Sequence, residues 1–129
     1  MANVTLSARG ESEPATAWER YAQVDAWPQW SPQITRVETE AARIAPGVTG
    51  RVVGPLGVSV AFRIDEVDES ARRWSWTVHR GPLTVRLHHG VRPDGDGTRT
   101  WLTIDAPLPV VLGYAPLAQL ALRKLVAAG

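Results

Sequence analysis

The amino-acid sequence predicts an α+β domain in which a curved antiparallel sheet of about seven strands wraps around a C-terminal helix, with two short helices after the first strand. Three observations carry that expectation. Six strand-like segments follow one another between residues 34 and 105, joined by turns too short for helical crossovers. The one long apolar helical pattern lies at the C-terminus. A chain of 129 residues that is 44% hydrophobic can close a single core without disulfides or metals, and no repeat, low-complexity tract or second domain interrupts 1–129.

Residues 3–8 alternate, with Val4, Leu6 and Ala8 on one face and Thr5 and Ser7 on the other, the pattern of a half-buried strand. Pro14 then opens a stretch over 15–24 in which Trp18, Tyr21 and Ala22 recur at helical spacing. In 25–32, two prolines and the pair Trp27 and Trp30, three residues apart, predict a single helical turn closed by Ser31 and Pro32 that covers one end of the core. The six strands are expected at 34–38, 48–53, 58–67, 72–80, 83–91 and 98–105. Asp68-Glu69-Ser70, Gly81-Pro82 and Asp94-Gly95-Asp96-Gly97 supply the clearest turns. The terminal helix is expected over 110–127, with Leu117, Leu120, Ala121, Lys124 and Leu125 on one stripe and Pro116 either starting or kinking it.

Composition removes several classes of function. Fourteen Lys and Arg against 13 Asp and Glu give a formal charge of +1 with mixed signs, so no field is available to hold a nucleic acid. The absence of cysteine excludes thiolate chemistry and sulfur-ligated metals. No stretch reaches the length of a membrane span, and the first residues lack the apolar core of a secretory signal, which predicts a cytoplasmic protein. Phosphate-cradling loops, dinucleotide fingerprints, nucleophile elbows and paired-carboxylate motifs are missing from the sequence.

Trp18-Glu19 through Tyr21, Val24-Asp25, Trp27-Pro28, Trp30-Ser31-Pro32, Val67-Asp68, Trp74-Ser75-Trp76 and Gly97-Thr98-Arg99 together resemble the START-related superfamily with the helix-grip fold, most closely its polyketide cyclase or dehydrase-like branch. The resemblance covers nearly the whole chain, and its diagnostic part is the segment from Trp27 to Pro32. It implies an antiparallel sheet gripping the last helix around an apolar pocket that holds lipids, polyketides, hormones or aromatic substrates in different members. The short chain and Pro116 then predict a reduced cavity or a reshaped mouth.

Period-two counting sorts the strands into faces. Val58, Val60, Phe62 and Ile64 point inward, which leaves Arg63 and Asp65 as an outer-surface pair unless a bulge intervenes. Trp74, Trp76, Val78 and Arg80 share the inward face of the next strand, and His79 faces out. A two-residue loop at Gly81-Pro82 pairs Arg80 with Leu83, Val78 with Val85, Trp76 with Leu87 and Trp74 with His89, so His89 lies inside and His88 outside. Adjacent strand residues face opposite ways, so the two histidines do not make a metal site, and no third ligand of fitting spacing is evident.

His89 is open to three readings: a core histidine bonded to a neighbouring carbonyl, a catalytic acid or base, or a ligand anchor. Arg80 either snorkels to water or reaches the cavity mouth to bind a carboxylate or enolate-like oxygen. The candidate ligand-binding residues are Trp74, Trp76, Phe62, Leu87, Tyr114, Trp27 and Trp101. Tyr114 is expected just ahead of the terminal helix, near the pocket opening implied by the resemblance. For Trp101 the registers are open, although Leu102 and Ile104 are the stronger claimants to the interior.

The function expected is binding of a hydrophobic or aromatic small molecule, polyketide-like or lipid-like, in an internal pocket. Where catalysis accompanies binding, the resemblance implies cofactor-independent cyclisation, aromatisation or dehydration, with His89 or Arg80 handling protons and developing oxyanion charge. The alternative is a protein interaction or homodimerisation module whose cavity is filled and non-catalytic.

Overall fold

A computed structural model describes residues 2–128. The chain runs through β1 (Ala2–Gly10), α1 (Pro14–Ala22), a 3-10 turn (Val24–Ala26), α2 (Trp27–Trp30), β2 (Arg36–Glu38), β3 (Thr49–Val53), a second 3-10 turn (Pro55–Gly57), β4 (Ser59–Asp68), β5 (Arg73–Arg80), β6 (Leu83–Asp94), β7 (Gly97–Ala106) and α3 (Leu108–Leu125). The seven strands form one antiparallel sheet in the order β1-β7-β6-β5-β4-β3-β2, and the helices pack on its concave face. The expected architecture is the observed one, with most element ends shifted by one to three residues.

The hairpin register follows from its loop. Gly81 has φ +57, and the next residue, Pro82, has φ held negative by its ring, the combination a type II′ turn requires. Arg80 therefore pairs with Leu83, Trp76 with Leu87 and Trp74 with His89, as counting predicts. A bulge between Ile64 and Glu66 corrects β4, where strict alternation after Ile64 would have turned the carboxylate of Glu66 into the core. With the bulge, Val67 stands opposite Trp74, while Arg63 and Asp65 remain on the outer face as an ion pair at 3.1 Å.

α3 departs from expectation. It begins at Leu108, so Pro116 lies inside the helix and Tyr114 is a helical residue rather than a residue ahead of it. Its buried stripe is Val111, Ala118, Ala121, Leu122 and Leu125, whereas Leu117, Leu120 and Lys124 of the expected stripe face outward. The reason is degenerate periodicity: residues 106–122 contain no charged side chain, so apolarity alone cannot mark a face. The packing partner chooses instead, and α3 lies mainly against β1 and β7, where the small side chains of Ala118 and Ala121 allow close approach.

Two polar clamps fix the helices, one to the sheet and one to each other. The guanidinium of Arg43 donates to both carboxylate oxygens of Glu19 at 2.8 and 2.9 Å and to those of Glu69 at 3.1 and 2.8 Å, tying the loop after β2 to α1 and to the β4–β5 turn. Arg43 holds both carboxyls below their usual range. Arg20 donates to the carbonyls of Leu125 and Ala127 and so closes the C-terminus of α3.

Trp101 lies on the convex face with its indole across Gly90: a Cβ at Gly90 would stand 2.3 Å from Trp101 Cε2. Gly90→Ala is therefore expected to lower stability by about 1–3 kcal/mol, the usual cost of overpacking. Introducing Trp101→Ala as well should recover part of that loss, which equilibrium urea denaturation of the two single variants and the double variant measures.

Candidate functional site

The concave face divides into two halves along the strands. At the end where β5 passes under α1 and α2 it is filled by rings. Trp27 sits 5.6 Å from Trp74, 5.1 Å from Trp76 and 5.7 Å from Phe62, measured between ring centroids. Tyr21 adds edge contacts to Trp30 and Trp74 at 5.3 and 5.6 Å. Of the seven side chains proposed to line a pocket, Trp74, Trp76, Phe62, Leu87 and Trp27 are buried together in this core. The N–H groups of Trp27 and Trp30 donate to the carbonyls of Tyr21 and Arg20, which fixes both indoles relative to α1.

His89 is brought into the same cluster. Its ring stacks on Trp74 with centroids 4.6 Å apart and planes 11° from parallel. Trp76 Nε1 donates to His89 Nε2 at 3.0 Å. An indole N–H only donates, so Nε2 carries the lone pair and the proton of the neutral ring is on Nδ1. Nδ1 lies 3.2 Å from the Tyr21 hydroxyl, which lies 2.6 Å from Thr100 Oγ1, and Thr100 in turn donates to the Gly90 carbonyl at 2.9 Å. The chain therefore has one direction, Trp76 to His89 to Tyr21 to Thr100 to Gly90, with every member satisfied. Burial lowers the His89 pKa to about 3, with a smaller contribution from His88. Burial also raises the Tyr21 hydroxyl well above its ordinary value, against the opposing bond to Thr100. Trp74 Nε1 is buried without a hydrogen-bond partner.

Toward the Gly81 hairpin the concave face opens. Val78 and Val85 face inward on the rung of the buried Phe62, one beyond Ile64, Trp76 and Leu87, and Val60 lies a rung further along β4, yet each of the three valines is only half-buried. Tyr114 is also half-buried on α3, and its hydroxyl accepts from Gln33 Nε2 at 3.3 Å. Arg80 is exposed at the hairpin tip of the same face.

The remaining candidates separate from this interior. Trp101, proposed as a pocket residue, is half-buried on the outer face, because Leu102 and Ile104 take the inward positions of β7. It borders a depression of about 320 Å³ together with Glu66, Asp68, Arg73, Ser75 and His88. His88 faces out, 3.7 Å from Asp105, and His79 is exposed. Tyr21 and Thr100 complete the buried chain but were not singled out beforehand. Thr100 was detectable in principle, since alternation places it on the same face as Leu102, and Tyr21 lies on the apolar stripe of α1.

The family described as "Polyketide cyclase / dehydrase and lipid transport" matches residues 1–129. Among solved structures, the chain is similar to Ara h 8.0201, with 15% identity, TM-score 0.75 and coverage of 96% of this chain and 94% of that one. It is similar to the protein XoxI from Bacillus cereus at 16% identity and TM-score 0.78, covering 98% and 94% of the two chains. A protein from Nitrosospira multiformis aligns at 13% identity and TM-score 0.79 over 97% and 94%. At these identities the likeness is one of fold. No curated protein matches the sequence.

The buried His89 has a consequence in acid. Its ring is neutral in the fold down to about pH 3, whereas in the unfolded chain it takes up a proton near pH 6.5. The unfolded state binds the extra proton between those values, so the contribution is fully present above pH 6.5 and is lost as pH falls. Stability is expected to decline by about 1.4 kcal/mol per pH unit below 6.5 from this group. Urea denaturation between pH 7 and pH 5, above the range of the lowered carboxyls, checks it: the slope should disappear in His89→Gln.

Proposed function

The chain belongs to the polyketide cyclase / dehydrase and lipid transport family, and from that premise we propose that it binds a hydrophobic small molecule, lipid-like or polyketide-like, in the open half of the concave face. The observation that carries this is the incomplete burial of Val60, Val78 and Val85, three inward-facing apolar residues left half-covered by a helix that packs elsewhere. The aromatic floor beneath them is rigid, because its rings are interlocked and the N–H groups of Trp27 and Trp76 are bonded. An apolar tail against those valines gains burial at little ordering cost to the protein.

Arg80 suits the polar end of such a ligand. It is an exposed guanidinium on the hairpin bordering the cleft, where a carboxylate or phosphate head would remain near water. His89 suits no proton transfer, since Trp76 occupies its basic lone pair and burial disfavours the charged ring. Binding is accordingly the reading the geometry supports, with His89 as a structural pin and not a general base.

Titration of intrinsic tryptophan fluorescence with a medium-chain fatty acid and with an aromatic polyketide tests the cleft. Saturable binding is expected. Val78→Trp or Val85→Phe should weaken it by roughly tenfold or more, equivalent to about 1.4 kcal/mol, without lowering the melting temperature. Arg80→Gln should weaken the free acid and leave its methyl ester unaffected. Equal affinity in wild type and in both cleft-filling variants would place the ligand elsewhere.

A further inference from the structure

We propose that the convex face of the sheet carries a separate, shallow binding site for a saccharide ring, at the depression beside Trp101. The sheet itself divides this site from the cleft on the concave face, and the inference stands whether or not that cleft is occupied. Three features of the strands make the depression. Ser75 on β5 and Gly90 on β6 place small residues at adjacent outward positions, opposite His88 and Arg73. The bulge between Ile64 and Glu66 returns Glu66 to the outer face, opposite Ser75, an effect bulges commonly have near binding sites. Trp101 on β7 stands opposite Gly90 and lays its indole across it. The result is a hollow of about 320 Å³ with Glu66 and Asp68 on one side, Trp101 and His88 on the other, and Arg73 and Ser75 between them. That volume is at the small end of the range for ligand clefts.

What marks the hollow is the state of its polar groups. Over much of the convex face such groups bond to one another. Asn3 donates to Asp105, Thr5 and Thr103 lie 2.9 Å apart, Arg99 reaches Asp94 at 2.7 Å and Ser7 at 3.2 Å, and Asp65 accepts from Arg63 at 3.1 Å and from Thr77 at 2.6 Å. Around the hollow this pairing stops. Among the described residues, the side chains of Glu66, Arg73 and Ser75 have no hydrogen bond or ion pair, and Asp68 uses one oxygen to hold Ser70 and Ala71 while the other is free. Four indole N–H groups donate within the protein, those of Trp18, Trp27, Trp30 and Trp76, whereas that of Trp101 has no partner over Gly90. Glu66 and Arg73 carry opposite charges into one hollow without meeting, because the register sets Glu66 against Ser75 and Arg73 against Asp68.

The chemistry of these groups selects a neutral, polyhydroxylated ring. Glu66 and Asp68 accept hydrogen bonds, Arg73 and the Trp101 N–H donate them, and Ser75 and His88 do either. A sugar hydroxyl donates and accepts at once, so neighbouring hydroxyls on one ring answer groups of both kinds. An anion in the same place would meet two carboxylates, and a cation would meet Arg73, so both charged classes are disfavoured. The half-buried indole supplies one flat apolar surface, which the C–H face of a pyranose covers while its hydroxyls reach the polar rim. A zwitterionic amino acid would engage Glu66 and Arg73, but exposed ion pairs contribute little, and such a ligand leaves the indole unused.

Proton–nitrogen correlation spectra of the isotope-labelled full chain test the proposal, recorded during titration with neutral mono- and disaccharides of glucose, galactose, mannose, xylose and N-acetylglucosamine. A saturable shift of the Trp101 indole N–H, identified by its loss in Trp101→Phe, is expected with at least one of them, at an affinity that salt does not change. Glu66→Ala and Arg73→Ala should each weaken binding by about tenfold, the effect of removing a hydrogen bond to a charged group. The melting temperature should not change, since both side chains are exposed and unpaired. Val78→Trp, which fills the concave cleft, should leave saccharide affinity as it is, so the two sites succeed or fail separately. No Trp101 shift with any saccharide would overturn the proposal, as would a shift undiminished in both Glu66→Ala and Arg73→Ala. A shift produced only by glycine, and removed by salt, would assign the hollow to a zwitterion instead.

Discussion

Four elements of the fold meet in one directed chain of buried hydrogen bonds, and the rest of the core is arranged around it. Trp76 on β5, His89 on β6, Tyr21 on α1 and Thr100 on β7 each pass a proton donor to the next, ending on the Gly90 carbonyl. No link can be reversed without leaving an indole or hydroxyl unpaired, so the imidazole is restricted to one tautomer and one ring orientation. That orientation aligns the ring with Trp74, which in turn packs on Trp76 and Trp27. Losing one polar member would cost more than its own bond, since its neighbours have no water to replace it.

A core so filled at one end leaves little freedom in where an opening can lie. The bulge in β4 keeps Val67 opposite Trp74 and sends Glu66 outward, which completes the packed half. The same strands, continued toward the Gly81 hairpin, have lost the covering helices, because α2 ends at Trp30 and α3 turns its buried stripe to β1 and β7. The half-covered valines are therefore a result of helix placement and not of a locally polar sequence. Rigidity and accessibility are divided between the two ends of one sheet, so a ligand entering at the open end meets a surface that has little need to rearrange.

Much of this was legible before the structure. Alternation identified the inward faces of β4 to β6, and the two-residue loop set the register that put His89 beside Trp74. What could not be read was anything dependent on a partner's shape. The stripe of α3 was hidden because nearly every position on it is apolar, and packing against β1 decided which residues are covered. The role of His89 needed the positions of Trp76 and Tyr21 in three dimensions; adjacency in the register shows proximity but not which nitrogen is occupied. For Trp101, hydrophobicity favoured Leu102 and Ile104 for the interior, as the structure has it, but an indole serves either face, and its seat on the convex side depends on Gly90 leaving a groove for it.

The outward face of α3 gives the sequence problem its physical meaning. Up to Leu122 the helix is apolar all round, a pattern ordinarily buried all round, yet it covers only part of the sheet and leaves Leu108, Leu112, Leu117 and Leu120 uncovered. Pro116 sharpens the point: lacking an N–H, it leaves the carbonyl of Leu112 without its helical bond, on the side of the helix that faces away from the sheet. A surface that combines exposed leucines and an unbonded carbonyl is poorly suited to bulk water and equally to a dry protein core. The same degeneracy that hid the buried stripe from sequence reading is thus a property of a helix whose uncovered face is as apolar as its covered one over most of its length.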